Sequence, residues 1–309
     1  MSFAHLVYVS SWIKLHYPAA FCAALLNAQP MGFYSPQSLT QDARRHGVRV
    51  LTPDLNRSGH QATLEPAADS HREVAVRLGL DSVRAVGDDL AAAIVAQRDS
   101  GGPYRSMEDL TRRSDDVELT LYQLEALATA GAFGCLGLER REALWQTGAV
   151  AQSRRGRLIG IVTGGESPTL PGMSECDLAV ADLWSTGVAP DGHPTKFVRD
   201  ELDRRGVVPS DRLHEVAPGS KVWVGGVVTH RQRPATAGGT TFINLEDETG
   251  LVNVVCSRGC WARYRRVARG APALLVRGRL ERAEGVTNIV AERFEVFPVP
   301  ATLKSRDFR

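Results

Sequence analysis

From residue 221 to residue 297 the apolar positions follow a two-residue rhythm. Leu274, Val276, Gly278 and Leu280 alternate with Leu275, Arg277, Arg279 and Glu281, the period of a strand with one face in a core and the other partly wet. Val222, Val224 and Val228, then Thr241 to Leu245, Leu251 to Val255 and Val286 to Phe297, supply four more β-rich segments. Glycine-containing turns separate them at Gly238-Gly239, Gly250 and Gly285. Cys260 to Ala268 breaks the rhythm and predicts one short helix between the third and fourth strands. The order β-β-β-α-β-β therefore predicts a small closed barrel.

Upstream the rhythm is helical. Phe3, Leu6, Val7 and Trp12 form an apolar run with no capping pattern and little polar face. Pro18 ends that helix and opens a second through Phe21, Leu25 and Leu26, which stops near Gln29-Pro30. A pair so apolar on all sides reads as the interior of something larger, so Met1 is not expected to be a natural domain start. A third helix, Ser38 to His46, ends at Gly47 and leads into the β-like Val48 to Leu51.

Between Leu78 and Arg98, Leu80, Val83 and Val86 lead to Gly87 and then to an Ala-rich helix, the grammar of a helix-hairpin-helix. A glycine lets the backbone turn sharply against a phosphate, and free N–H groups at the helix start suit an anion without reading a base. Asp88 and Asp89 sit at the same helix start and would themselves satisfy its donors, so an ordinary helix turn is the competing reading. A second copy follows: Leu121, Leu124 and Leu127 build a helix ending at Gly131, Ala132-Phe133-Gly134 leads into Leu138 to Trp145, and Arg140 and Arg141 flank the turn. Ser106 with Asp109 has the spacing of a capping box for a short helix between the copies, so residues 71–150 can form one compact helical unit. Residues 151–172 are rich in Arg, Gly and Pro and read as a linker. His193 has no nucleophile and orienting carboxylate beside it and reads as a buried hydrogen-bonding histidine.

Charge sharpens the barrel's reading. Residues 221–297 hold twelve Lys and Arg against seven Asp and Glu, net +5 in a chain that is +2 overall. Five strands with this connectivity are an OB-fold, which often binds oligonucleotides. Lys221, Arg231, Arg233, Arg277 and Arg279 are candidate phosphate contacts, and Phe242 is a candidate stacking platform. A solvated basic surface on a structural barrel is the alternative. Five cysteines, an odd number, argue for reduced thiols, and Cys256 and Cys260 lack a second ligand pair at zinc spacing. With no apolar run near ~20 residues and no signal-peptide order, no membrane role is expected and a cytoplasmic location is.

The run SSWIKLHYPAAFCAALLNAQPMGFYSPQSL, followed by DARRHGVRVLTPDLN, resembles bacterial family C DNA polymerases of the replicative alpha-subunit type, above all their damage-inducible, error-prone branch. The stretch GMSECDLAVADLWSTGVAPDGHPTKFVRDEL, with Gly192-His193-Pro194, is similar to the family's connector into its OB-fold, and the ending Lys304 to Arg309 looks like that branch's short basic tail. The resemblance implies a multidomain α+β chain. Residues 1–70 would be the C-terminal part of the polymerase fingers, 71–150 a tandem helix-hairpin-helix unit gripping duplex, 151–215 linker and connector, 216–300 the OB-fold, and 301–309 a solvated tail. Val86, Gly87, Gly131, Arg140 and Arg141 become duplex contacts in this reading, and the barrel takes single-stranded template. It also implies accessory proteins of replication or translesion synthesis as partners and Mg²⁺ for the full-length family, with no cofactor in this chain.

Nucleotidyl transfer by two metal ions needs carboxylates that converge. No Asp-x-Asp pair occurs here, and the adjacent pairs Asp88-Asp89 and Asp115-Asp116 diverge on either a strand or a helix. The resemblance places the catalytic palm, and the Lys-Ser-His segment facing the nucleotide, upstream of Met1. A free-standing DNA-binding accessory protein is the alternative, and a tethering module a third, although 151–215 shows no clear clamp-binding peptide. The 309-residue chain alone is accordingly expected to give no primer extension with Mg²⁺ or Mn²⁺ above a protein-free control. Template-dependent extension by the purified chain would overturn this.

Overall fold

The computed structural model describes residues 2–32, 34–114, 119–151, 168–283, 285–300 and 306–308. Two compact units emerge, one formed by residues 1–30 with 39–190 and the other by 31–38 with 191–309. Asp115, Asp116 and most of the expected linker lie outside the described residues.

The first unit opens with helix α1 (Phe3–His16), which buries no residue and leaves Phe3, Leu6, Tyr8, Trp12 and Leu15 exposed. Its sequence has too few polar positions to form a wet face, as the hydrophobic pattern implied. Helix α2 (Pro18–Asn27) starts on its proline and buries Ala19, Cys22 and Ala23 against Ala43 of α3 (Pro36–Arg45), Val48, Ala62 and Val76. Burial pushes the Cys22 thiol up to about 12, so it acts as a small apolar group.

Strands β1 (Val50–Leu51), β2 (Thr63–Pro66) and β3 (Val74–Arg77) form a small sheet in the order β1-β3-β2, with β3 parallel to β1 and antiparallel to β2. The boundary expected at residue 70 thus falls inside one sheet. Arg77 fixes it from within, donating to both carboxylate oxygens of Glu65 at 2.9 Å and to the Thr52 carbonyl at 2.7 Å. That hydrogen-bonded guanidinium outweighs burial and holds the Glu65 carboxyl below its ordinary range.

Helices α4 (Gly87–Gly101), α5 (Met107–Arg113), α6 (Leu121–Thr129), α7 (Arg140–Val150) and α8 (Glu175–Ser185) complete the unit. Leu80, Ile94, Met107, Leu110, Leu124, Leu127 and Phe133, with Ala143 and Val150, form the common core of α4 to α7, which Leu55 joins from the loop between β1 and β2. Thr120 with Gln123 and Ser174 with Asp177 are full capping boxes. At α5 the expected box is split: Ser106 accepts from the Asp109 N–H, but the Asp109 carboxylate takes the Arg105 N–H at 3.0 Å.

The second unit is the barrel and its lead-in. His193 is buried with Nδ1 2.7 Å from Thr195 Oγ1, the structural role expected of it. Burial works against the charge on Glu248, yet hydrogen bonds from Arg199 at 2.5 Å and Thr195 at 2.6 Å win and hold its carboxyl low. They join the start of α9 (Arg199–Arg204) to the β5–β6 turn. Strands β4 (Lys221–Gln232), β5 (Thr241–Glu246), β6 (Leu251–Cys256), β7 (Ala273–Ala283) and β8 (Val286–Val296) pair in the order β5-β6-β8-β7-β4, and β4 returns to β5 to close the barrel. Helix α10 (Arg258–Gly270) lies between β6 and β7, longer at both ends than expected. The tail expected to be solvated contributes a strand instead: β9 (Arg306–Phe308) runs parallel to His230–Gln232 of β4.

Two glycines are required where strands approach closely. A Cβ on Gly226 would stand 2.6 Å from the Glu246 carbonyl oxygen, and one on Gly278, at the β7 register shift, 2.4 Å from that of Val290. Both obstacles are backbone and cannot rotate away. Gly278→Ala is expected to destabilise the chain by about 1–3 kcal/mol or more, read as a lower urea midpoint at unchanged slope. A midpoint equal to the parent's would mean that the β7–β8 pair relaxes freely.

Candidate nucleic-acid interface

The two hairpins of the first unit differ in what their turns face. In the first, the leading helix is reduced to a single 3₁₀ turn, Leu80–Ser82, and the chain passes through Ala85 at φ +63° and Gly87 at φ +67° into α4. Gly87 is exposed and nothing lies within 4 Å of where its Cβ would be, so a backbone or phosphate could approach it. Val86 turns inward: its side chain is buried and its N–H donates to the Val83 carbonyl at 3.0 Å. Asp88 and Asp89 occupy the first turn of α4, as the competing sequence reading feared.

The second hairpin is a full helical pair, α6 and α7, yet its glycine faces inward. A Cβ on Gly131 (φ +79°) would meet Arg140 Nε at 2.9 Å. The Arg140 guanidinium is mostly buried, 2.7 Å from Asp182 Oδ1 of α8 and 3.1 Å from the Thr129 carbonyl. Gly131 and Arg140, expected as duplex contacts, are therefore parts of an internal clamp on α8. Arg141 donates to the Pro171 carbonyl at 2.8 Å and lies 3.7 Å from Asp177, partly exposed.

Beside the first turn stands a group drawn from distant parts of the chain. Arg84 donates to the Trp184 carbonyl and stacks 4.8 Å from the centre of the same residue's ring. Tyr122 meets that ring edge-on at 6.2 Å, and both aromatics are exposed. Residues a hundred positions apart meet here, which no local pattern reports.

On the barrel, strand register decides which side chains share a surface. Pairing carries one outward row from Gln232 to Phe242, Val255, Val290 and Arg279, and a second from His230 to Asn244, Asn253 and Asn288. Phe242 is 36% exposed and projects outward from β5. Asn244 Nδ2 donates to Asn253 Oδ1 at 2.8 Å. Arg233 is exposed in the loop after β4, and its Nη2 and the Arg258 side chain lie 3.5–3.7 Å from where a Cβ on Gly239 would stand. The β4–β5–β6 face thus combines an aromatic, a row of amides and two cations at its edge.

Other sequence candidates stand elsewhere. Two strands, β6 and β8, lie between Phe242 and Arg279, about 14 Å around a curved surface at ~4.8 Å per strand. Phe242 on β5 and the candidate cations Arg277 and Arg279 on β7 therefore stand on different parts of the barrel surface. Arg279 is 2.6 Å from Glu281 and Lys221 is 3.1 Å from Glu292, pairs that offset their charge, whereas Arg277 is exposed. Arg231 is buried, with Nε 2.7 Å from the Ala268 carbonyl and Nη2 2.6 Å from that of Ala271. It caps the end of α10 rather than meeting a ligand. Cys256 and Cys260 are free thiols, both raised by burial, and among the described residues no cluster of His, Cys, Asp and Glu could hold a metal ion.

These modules define the class. A helix-hairpin-helix family model matches residues 47–143, and a model of OB-fold nucleic acid binding domains matches residues 222–297. Error-prone DNA polymerases align along all 309 residues: that of Mycolicibacterium paratuberculosis is 58% identical, that of Mycobacterium bovis 56%, and that of Nocardia farcinica 57% over 316 aligned positions. Along its whole length the chain is similar to the C-terminal portion of error-prone DNA polymerases, and it spans only 27–28% of the length of these curated relatives. Among solved structures, asparaginyl-tRNA synthetase from Pyrococcus horikoshii is 22% identical over 28% of this chain and 21% of its own, with a TM-score of 0.23.

The arginine clamp yields a test that separates structure from binding. Arg140→Ala removes the guanidinium 2.7 Å from the buried Asp182 carboxylate and is expected to cost about 3–5 kcal/mol, seen as a lowered melting temperature. DNA affinity of the folded protein should be unchanged. A stable variant with weakened duplex binding would return Arg140 to the interface.

Proposed function

We propose that this chain is the DNA-handling portion of an error-prone polymerase, holding single-stranded template on the β4–β5–β6 face of the barrel and duplex at the first hairpin. The single observation that carries the reading is Phe242, an aromatic turned outward on the second barrel strand amid amides. Bases stack on such a ring whatever their identity, the amides can bond base edges or sugars, and Arg233 and Arg258 neutralise phosphates at the rim. Binding of this kind tolerates any template sequence, as synthesis across damaged DNA requires.

At the first hairpin the open backbone around Gly87 supports approach of a phosphate. Asp88 and Asp89 make that contact one of backbone geometry rather than of net charge. Damage-induced translesion synthesis, the divalent cations it uses, accessory protein partners and a cytoplasmic place of action are proposed for the whole polymerase, of which this chain is a part. No described helix is long and apolar enough to cross a membrane.

Stacking and charge have separable signatures. Phe242→Ala should weaken single-strand binding by about 1–3 kcal/mol and leave its salt dependence alone. Arg233→Ala should lower the slope of log affinity against log salt by about 0.7, and Arg279→Ala should hardly change it. Titrating a labelled oligonucleotide at several salt concentrations, beside a melt of each variant, measures both. Full affinity in Phe242→Ala, or a slope that responds to Arg277 and Arg279 but not to Arg233, would move the strand to another side of the barrel.

A further inference from the structure

Helix α10 carries a second concentration of charge that the strand-binding face does not use. Its thirteen residues include Arg258, Arg263, Arg265, Arg266 and Arg269 and no Asp or Glu. All five arginines are exposed. Among the described residues no carboxylate lies within 4.0 Å of any of them, in contrast to Lys221, Arg279 and Arg293 on the neighbouring strands. The opposite side of the helix is committed to the fold: Trp261, Tyr264, Val267 and Ala268 pack on the barrel core, with the Tyr264 ring 6.0 Å from that of Phe294. The arginines cannot turn inward to find partners. Five like charges on about 20 Å of helix repel one another and are relieved by a polyanion.

The helix begins where the proposed strand site ends. The Arg258 side chain and the Arg233 guanidinium both lie 3.5–3.7 Å from where a Cβ on Gly239 would stand, in the loop leading to Phe242. Beyond a break at Tyr264, Arg265, Arg266 and Arg269 continue toward the far end of the helix. We infer that single-stranded DNA leaving the β4–β5–β6 face turns at Gly239 and runs along the outer side of α10, its phosphates held by Arg265, Arg266 and Arg269. The inference rests on the proposed strand site and adds a second segment to it. Along α10 the contacts are to phosphate alone, since none of the helix's aromatic rings faces outward with the arginines. This segment therefore adds length and salt dependence to binding, without base preference.

Oligonucleotide length tests it. A strand of about 6 nucleotides covers the barrel face only, whereas one of about 15 reaches the helix, both within the range of a single OB-fold site. In the full chain, the triple variant Arg265→Gln/Arg266→Gln/Arg269→Gln should bind the short oligonucleotide within about two-fold of the parent. For the long one it should lose about 2 units of salt slope, at ~0.7 per phosphate contact. Melting temperature controls for folding, and the exposed positions leave the packed side of α10 untouched. Unchanged slope for the long strand overturns the inference and leaves the helix for an acidic protein surface or for solvent. Equal weakening at both lengths also overturns it, because the charge would then act on the barrel face as a whole. Phe242→Ala in parallel keeps the two readings apart. If it weakens the short oligonucleotide while the triple variant spares both lengths, only the helix segment fails. If Phe242→Ala has no effect and the triple variant still loses slope with the long strand, the face fails and the helix stands as a phosphate site of its own.

Discussion

A sheet of five strands closes only if one strand serves both of its edges. Here β4 does so, pairing with β7 from Lys221 to Val227 and with β5 from Val227 to Gln232. The handover falls beside Gly225 and Gly226: a Cβ on Gly226 would run into the Glu246 backbone of β5, and one on Gly225 into the Leu275 side chain of β7. Closure sets the outward rows, and the rows decide which polar groups stand together. The aromatic of β5 and the cations of β7 are separated by that geometry, however near they look when the pattern is read along the chain.

Arginine serves two opposite ends in this molecule. Arg231 and Arg140 are turned inward, where a planar guanidinium can satisfy several backbone carbonyls or a buried carboxylate at once. Each closes an end that a helix leaves open: Arg231 takes the last carbonyls of α10, and Arg140 takes the Thr129 carbonyl at the end of α6. The arginines on the outer side of α10 have no such duty. Net charge counted along a segment mixes both kinds, and only burial separates them.

Much of the architecture was legible because it rests on short-range rules. The barrel's alternation from Leu274 to Glu281, the helix before β7, the cap at Ser106 and the proline start of α2 each follow from a few neighbouring residues. The site was less legible. Val86 and Gly131 fit a loop grammar, but whether a turn faces outward depends on what packs over it, and for Gly131 that is an arginine tied to a helix some fifty residues on. The grouping of Phe242 with Asn244, Asn253 and Gln232 needs the register of three strands, and β3 shows that even a unit boundary can be hidden by a pairing of residues 76–77 with residues 50–51.

Residues 306–308 occupy the edge of β4 that β7 vacates after Val227. An uncovered stretch there would present a ladder of unpaired N–H and C=O groups to any other extended chain, including another copy of this one. The short parallel strand denies them that template. Its own outer edge is only three residues long, the short kind of edge that gives another chain little to pair with.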